Sequence, residues 1–163
     1  MRIESRTVPA QRTAVAKGTL RREELSAWCP AALDHVATYL SRHEVAPCGF
    51  PFVRYHVRPD HRFEVEAGFP VAIRIIGDGS VRPSTIPGAN VVVAWRIGPY
   101  DGLGEAYDSL DEWLKDEGAV RSGDAWEVYH DAPTRDPHFW RTEVIQPFVL
   151  TTTRSDMQES TRH

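Results

Sequence analysis

The sequence has few cysteines, no long apolar run and no excess of positive charge. Its 163 residues include only two cysteines, Cys29 and Cys48, so a disulfide framework is not expected. No apolar stretch approaches the roughly 20 residues that cross a bilayer, and the N-terminus lacks the apolar core of a secretion signal. A formal net charge of −4 gives no electrostatic support for a nucleic-acid partner. These absences predict a cytoplasmic protein that binds neither membranes nor nucleic acid directly.

Common catalytic and cofactor motifs are missing too. The seven histidines form no His-Glu-x-x-His pair and no Cys/His cluster, and His56 and His61, which flank a predicted turn, are a weak metal candidate. The segment Gly77-Asp78-Gly79-Ser80 lacks the lysine and the following helix of a phosphate-binding loop. No nucleophile elbow is present. The sequence therefore predicts neither a bound metal nor a cofactor.

What is present is the composition of one globular domain, with 41% hydrophobic and 26% charged residues. Apolar residues at three- and four-residue steps predict helices over residues 23–42 and 103–117. Pro30 is expected to kink the first helix or to mark its first turn. Alternation and valine-rich runs predict six strands, with the first interrupted near Pro9: residues 3–18, 50–57, 63–68, 90–97, 126–129 and 139–149.

The same order of elements occurs twice at a constant offset. Tyr39 and Trp113, which lie on the two predicted helices, are 113 − 39 = 74 positions apart. Tyr55 and Tyr129, which lie on strands after those helices, are 129 − 55 = 74 positions apart. A strand, a helix and a hairpin repeated in this way predict duplicated βαββ units around a pseudo-two-fold axis.

This duplication leads to a definite fold class. We expect an α+β fold with an antiparallel-dominated sheet, two helices on one face and an open ligand groove on the other. One domain is expected over residues 1–150, with repeat one over about 1–76 and repeat two over about 88–150. A polar flexible tail should follow over 151–163. Clefts at internal interfaces are common sites for small ligands.

Strand alternation then selects the side chains that face the groove. Trp126 and Val128 are predicted to face the helices, which need apolar partners, and Glu127 and Tyr129 to face the groove. A carboxylate walled by aromatic rings loses hydration and seeks a counter-charge. A ligand cation supplies that charge while the rings stack on its body. The alternative is an ordinary glutamate on a solvent-facing strand.

Other strand and loop residues are weaker candidates. Alternation points Glu64 and Glu66 into the same groove as supporting negative charge, although alternating charges also mark wet strand faces. Aligning Tyr55 with Tyr129 sends Arg54 toward the helices, a misfit that a β-bulge would explain. The aromatic residues on the helical faces are interpreted as core: Trp28, Tyr39, Tyr107 and Trp113.

These residues, in this order, resemble the GyrI-like small-molecule-binding family, which includes the effector-binding domains of MerR- and AraC-type transcription regulators. The resemblance spans roughly residues 1–149 and rests on order and spacing rather than on one motif. The second half carries it in Ile97-Gly98-Pro99-Tyr100-Asp101-Gly102-Leu103, Tyr107-x-x-Leu110-x-x-Trp113, Glu127-Val128-Tyr129, Pro133 and Trp140-Arg141-Thr142-Glu143-Val144. The first half carries it in Pro51-Phe52-Val53-Arg54-Tyr55 and in the strand from Phe63 to Val71.

The resemblance implies a duplicated βαββ fold whose central groove binds bulky aromatic, often cationic compounds. A groove glutamate in the second repeat anchors such ligands, and it maps onto Glu127. Groove aromatics map onto Tyr55, Tyr129, Trp95 and Tyr100, and Tyr100 lies on a strand-to-helix loop from which it either covers the groove or packs. Because the sequence begins at the binding domain, a stand-alone member without a DNA-binding segment is expected.

Three functions stay open at this point. The first is a stand-alone small-molecule-binding protein for multidrug sensing or sequestration, with a hydrophobic, cationic aromatic ligand. The second is a hydrolase that opens the strained cyclopropane rings of DNA-alkylating natural products. There Glu127 would activate water and Tyr55 or Tyr129 would stabilise the developing charge. The third is a gyrase-interacting, inhibitor-like protein, so a protein partner (gyrase or a transcription regulator) is also open.

Overall fold

The computed structural model describes residues 1–151 and confirms a mixed α+β fold with two helices and nine strands. Helix α1 spans Leu25–Arg42 and helix α2 spans Leu103–Asp116. The strands are β1 (Arg2–Val8), β2 (Gln11–Leu20), β3 (Phe52–Val57), β4 (Phe63–Pro70), β5 (Arg82–Ile86), β6 (Ala89–Ile97), β7 (Ala119–Arg121), β8 (Trp126–Tyr129) and β9 (Arg141–Leu150). Apart from Thr151, the predicted tail lies outside the described residues.

Most predicted elements are present within a few residues of their expected bounds, and β8 has the bounds predicted. Pro30 lies within α1, which a 3₁₀ turn at Arg22–Glu24 precedes. Helix α2 ends as expected just before Gly118, whose φ of 64° suits a residue without a Cβ. The prediction missed β5 and β7.

The strands form one antiparallel sheet in the order β1-β6-β9-β8-β3-β4-β2-β5, and β7 pairs with the end of β9. Strands β8 and β3 form the central pair of the sheet. On each side of this pair, the next strand outward is the hairpin partner, and the one after it is the strand that precedes the helix of that half. The first half reads β3, β4, β2 and the second reads β8, β9, β6. This order is the one expected for two βαββ units, whose origin by duplication stays a prediction.

Both helices pack against the same face of the sheet, each on its own half. Helix α1 covers β2 and β4 and buries Val36 and Leu40. Helix α2 covers β6 and β9 and buries Leu110 and Leu114. The two apolar cores therefore lie side by side on one face, and the centre of the sheet lies between them.

The opposite face carries a third apolar core, and all of its members among residues 1–151 lie in strands. Its members come from seven strands, and they include Val15, Phe52, Val91, Val93, Trp126, Ile145 and, partly buried, Val128. The predicted orientation of β8 is therefore wrong, because Trp126 and Val128 face away from the helices. Since both faces of the central sheet are apolar, apolar character alone does not tell which face a residue joins.

This correction also removes the misfit at Arg54. Strands β3 and β8 pair in regular register, with Arg54 directly opposite Trp126, so both side chains lie on the helix-free face. No β-bulge is needed there. The adjacent Tyr55 consequently faces the helices, as Tyr129 does.

Candidate functional site

Glu127 lies at the centre of the helix-covered face, in a row of otherwise small apolar side chains. It is directly opposite Val53 of β3 on one side and Val144 of β9 on the other. The 74-residue offset maps Val53 onto Glu127, so this pair stands at the junction of the two predicted units. Glu127 is only 6% exposed, and both neighbours are fully buried. A carboxylate is therefore enclosed where the two helical cores meet.

Three tyrosine hydroxyls donate hydrogen bonds to this carboxylate. Tyr107 of α2 donates to Oε2 at 2.5 Å, and Tyr129 of β8 donates to Oε1 at 2.8 Å. Tyr55 of β3 donates to Oε1 over a longer distance of 3.4 Å. The carboxylate is thus held by neutral donors from one helix and two strands.

No basic side chain within residues 1–151 shares in holding Glu127. Burial raises the pKa of Glu127 above its ordinary value, and the hydrogen bonds from the tyrosines oppose that rise only in part. Burial, followed by the charge of Glu127, also raises the pKa of Tyr55, Tyr107 and Tyr129, so all three stay protonated as donors.

A thiol borders the same cluster. Cys29 of α1 lies beside Tyr55 in the α1 core. Burial, and to a smaller extent the charge of Glu127, raises the pKa of Cys29 to about 11. At neutral pH the thiol is therefore a neutral, weakly nucleophilic group rather than a thiolate.

An aromatic wall extends outward from Tyr129. The ring of Tyr100 lies 5.1 Å from that of Tyr129 and 4.5 Å from that of Trp140, on which it stacks. Tyr100 is 40% exposed and so stands at the rim of the cluster. Its 3₁₀ turn rests on Arg96, whose guanidinium fills the space where a Cβ at Gly102 would lie.

The structure brings four of the predicted site residues together and separates two. Glu127, Tyr129, Tyr55 and Tyr100 form one cluster on the helix-covered face. Glu66 lies on the opposite face, where Lys17 approaches its carboxylate at 3.2 Å. Trp95 also belongs to the helix-free core, and its indole donates to Glu4 at 3.1 Å. Glu66 and Trp95 therefore do not share a site with Glu127.

Glu66 lines a cleft of about 800 Å³ on the helix-free face. Charges of both signs line it, and they pair with one another, as in the contacts of Arg54 and His56 with Asp124. No aromatic ring other than the His56 imidazole is among the lining residues. This cleft lacks the combination of a free anion and aromatic rings that recognises an apolar cation.

Sequence reasoning missed two members of the cluster. Tyr107 was interpreted as core because it lies on the apolar face of α2, where an aromatic residue is usually structural. For Cys29 the sequence analysis concerns only the absence of a disulfide framework and predicts no role at the site. Periodicity reports which face of a helix is buried, and it does not report whether the buried face meets a carboxylate.

Two structural findings limit the kinds of site that the described chain contains. Within residues 1–151, no group of three or more histidine, cysteine or acidic side chains is arranged to hold a metal ion. Neither helix in this part of the chain has the length and apolar character that a membrane crossing demands.

Solved structures show the same fold. The crystal structure of the EcmrR C-terminal domain is 20% identical, and the match covers 92% of this chain and 98% of that one with a TM-score of 0.74. A cryo-EM structure of the EcmrR–DNA complex is 19% identical with a TM-score of 0.79. That match covers 92% of this chain but only 58% of the longer EcmrR chain.

Two more distant structures are similar over nearly the whole domain. SAV2435 bound to tetraphenylphosphonium is 10% identical, with coverage of 91% and 94% and a TM-score of 0.63. A hydrolase from Listeria innocua is 12% identical, with coverage of 91% and 92% and a TM-score of 0.61. At these identities the likeness concerns the fold alone. No curated protein matches the chain.

The family assignment rests on the sequence itself. The family model described as the GyrI-like small molecule binding domain matches residues 1–149, which is nearly all of the described chain. With this match and the strand order above, the chain belongs to the GyrI-like small-molecule-binding domain family.

Proposed function

We propose that this protein binds hydrophobic, cationic aromatic compounds at Glu127, between its two helices, for sensing or sequestration. One observation carries the proposal: a buried carboxylate is held by tyrosine hydroxyls and has no basic partner within residues 1–151. A buried anion is strongly stabilised by an opposite charge. A flat cation brings that charge while its body contacts the rings of Tyr100 and Tyr129.

The surroundings of Glu127 support an apolar cation rather than a small inorganic one. Tyrosine rings and the aliphatic side chains of Val53 and Val144 lie beside the carboxylate, whereas hard cations require several oxygen ligands. A protein of similar fold, SAV2435, was solved with tetraphenylphosphonium, which is a cation of this class. Because Glu127 is 6% exposed, a ligand reaches it only after helical or tyrosine side chains move aside.

Glu127→Gln tests the anchor. The amide keeps the size of the side chain and removes its charge, so the affinity for tetraphenylphosphonium should fall by at least ~1 kcal/mol, or about fivefold. Isothermal titration calorimetry with tetraphenylphosphonium measures this change directly. A neutral aromatic compound of similar size should bind both proteins equally.

Glu66→Gln is the matched control, since it removes a charge of the same kind from the opposite face of the sheet. Its affinity for tetraphenylphosphonium should equal that of the wild type. If Glu127→Gln binds the cation as tightly as the wild type does, Glu127 is not the anchor and the proposal fails.

A hydrolase is the second candidate, and the same cluster favours it. A carboxylate of raised pKa beside the hydroxyls of Tyr55 and Tyr129 has the groups that general acid–base catalysis uses. Incubation with a cyclopropane-bearing, DNA-alkylating natural product tests this activity. More than one hydrolysed molecule per protein molecule, abolished in Glu127→Gln, would establish turnover. An unchanged compound would leave binding alone.

A further inference from the structure

Four buried side-chain atoms make no hydrogen bond within the part of the chain that the structure describes: Thr13 Oγ1, Arg54 Nε, Trp140 Nε1 and Thr142 Oγ1. Thr13 and Arg54 belong to the helix-free face. Trp140 and Thr142 lie on the helix-covered face, beside the tyrosine cluster. Unpaired buried polar groups are uncommon in folded proteins, so two of them at the edge of one site point to a partner that arrives from outside.

Thr142 borders the cluster through the β8–β9 ladder. It pairs directly with Tyr129, so the two side chains are neighbours on one face of the sheet. Thr142 is 1% exposed, which keeps solvent from satisfying its hydroxyl. The group is therefore buried, unpaired and in contact range of a ring that the proposed ligand touches.

Trp140 lies two residues before Thr142 and also borders the tyrosine cluster. Its backbone is extended, and in an extended chain residues i and i+2 point to the same side. Its ring stacks on Tyr100, which in turn contacts Tyr129. The indole N–H and the Thr142 hydroxyl thus both border the aromatic wall.

The chemistry of the two groups is complementary to one kind of ligand atom. An indole N–H donates only, and a threonine hydroxyl donates or accepts. Together they suit a ligand acceptor such as an ether, ester or carbonyl oxygen. Since Glu127 pairs with Val144, Thr142 is its diagonal neighbour in the ladder, with a backbone separation of about 7–8 Å.

We propose that Trp140 and Thr142 form a hydrogen-bonding subsite for an acceptor oxygen carried by the cationic ligand. The preferred ligands are then planar aromatic cations that bear an oxygen acceptor on the ring system, several ångströms from the positive centre. Cations made only of hydrocarbon rings bind less tightly. This inference rests on the proposed function and adds the ligand class that the same site prefers.

A pair of isosteric cations tests the subsite. N-benzyl-6-methoxyquinolinium carries an ether oxygen, and N-benzyl-6-ethylquinolinium replaces that oxygen with a methylene group. Calorimetric titration should show that the wild type prefers the methoxy compound by about 2- to 10-fold, the range of one net hydrogen bond. Thr142→Val and Trp140→Phe should each reduce this preference toward equality, which is measured as the ratio of the two affinities within each variant.

Thr13→Val is the matched control, because it removes an equally buried, unpaired threonine hydroxyl from the opposite face. It should keep the wild-type preference. Thermal melts check folding, and Thr142→Val should melt no lower than the wild type because its hydroxyl makes no bond in the free protein.

The outcomes separate the two proposals. If Glu127→Gln weakens both quinolinium compounds while Thr142→Val and Trp140→Phe leave the methoxy preference intact, the subsite is overturned and the binding function stands. If the wild type shows no preference for the methoxy compound, the subsite is also overturned. If neither compound nor tetraphenylphosphonium binds the wild type, both proposals fall.

Discussion

At the scale of single residues, the decisive feature is a carboxylate surrounded by hydroxyls instead of cations. A glutamate paired with an arginine would already be neutralised, and its removal would leave a buried charge uncompensated. Glu127 instead accepts from Tyr55, Tyr107 and Tyr129, whose raised pKa values keep them neutral donors. Moving a neutral donor away from the carboxylate costs less electrostatic free energy than moving a cation away would.

The raised pKa of Glu127 predicts that the free energy of unfolding falls as pH rises. The folded pKa lies above the ordinary glutamate value of 4.5, so between those two values the folded protein keeps a proton that the unfolded chain has lost. This stabilisation is fully present below the unfolded pKa and is lost as the pH rises through the folded pKa. Glu127→Gln has no such proton, so its stability relative to the wild type should increase with pH.

Urea unfolding of the two proteins from about pH 4 to about pH 8 measures this difference. A stability difference between Glu127→Gln and wild type that stays constant across this range would contradict the raised pKa.

The residues of the site were predictable only in part. Alternation correctly groups Glu127 with Tyr129, because residues two apart on a strand share a face. It does not identify which face, since Trp126 and Val128 also pack into an apolar core. The expectation that Glu66 lies with Glu127 depended on that choice of face, and it failed for the same reason.

At the scale of the elements, α1 is the helix over the site that moves most easily. Pro30 lies inside this helix and has no N–H to donate to the carbonyl of Ser26. The turn just before it carries Cys29, beside Tyr55, and Trp28, whose ring packs closely over Gly18. The part of α1 nearest to the tyrosine cluster is therefore also the part with the weakest helical bonding.

Pro30→Ala should restore that hydrogen bond and stabilise the protein by about 1–3 kcal/mol. If ligand entry needs the first turns of α1 to move, the variant should also bind tetraphenylphosphonium more slowly. Urea unfolding and stopped-flow fluorescence measure the two effects. Pro83→Ala, in the edge strand β5, replaces a proline far from α1 in the chain and should leave the association rate unchanged. Association as fast as in wild type would show that α1 is not the moving part.

Local sequence predicted the long elements and missed the short ones. Periodicity over many residues identifies α1, α2 and the valine-rich β6 without ambiguity. Strand β5 contains Pro83 and has β2 as its one partner among the described strands. Strand β7 has three residues and, in the same part of the chain, pairs with the end of β9 alone. Such edge strands form because a neighbouring strand has backbone N–H and C=O groups free to pair. No local sequence pattern indicates this.

At the scale of the whole molecule, the two halves share one sheet and one polar cluster. Strands β3 and β8 join the halves, and Glu127 receives bonds from Tyr55 of the first half and Tyr107 of the second. The 74-residue offset predicts that the same elements recur in each half, although it does not give their order in the sheet. The enclosure of Glu127 at the centre could not be predicted, because it depends on how the two helices approach each other.

This shared centre predicts that the chain unfolds in one cooperative step. The first half contains Trp28 and the second half contains the other four tryptophans, so the fluorescence of Trp28→Phe reports on the second half alone, whereas circular dichroism reports on both halves. In Trp28→Phe, the two probes should follow a single urea transition. Two transitions separated in urea would show that the halves unfold independently.

The direct pairing of Val53 with Glu127 has a consequence for how such a molecule can arise. A residue that lies on a two-fold axis faces its own copy. Two identical halves would therefore place two acids opposite each other in a dry interior, where like charges repel strongly. A lone acid at that place requires the halves to differ. Joining the halves in a single chain permits this asymmetry. With Val53 opposite Glu127, the site carries one negative charge instead of two.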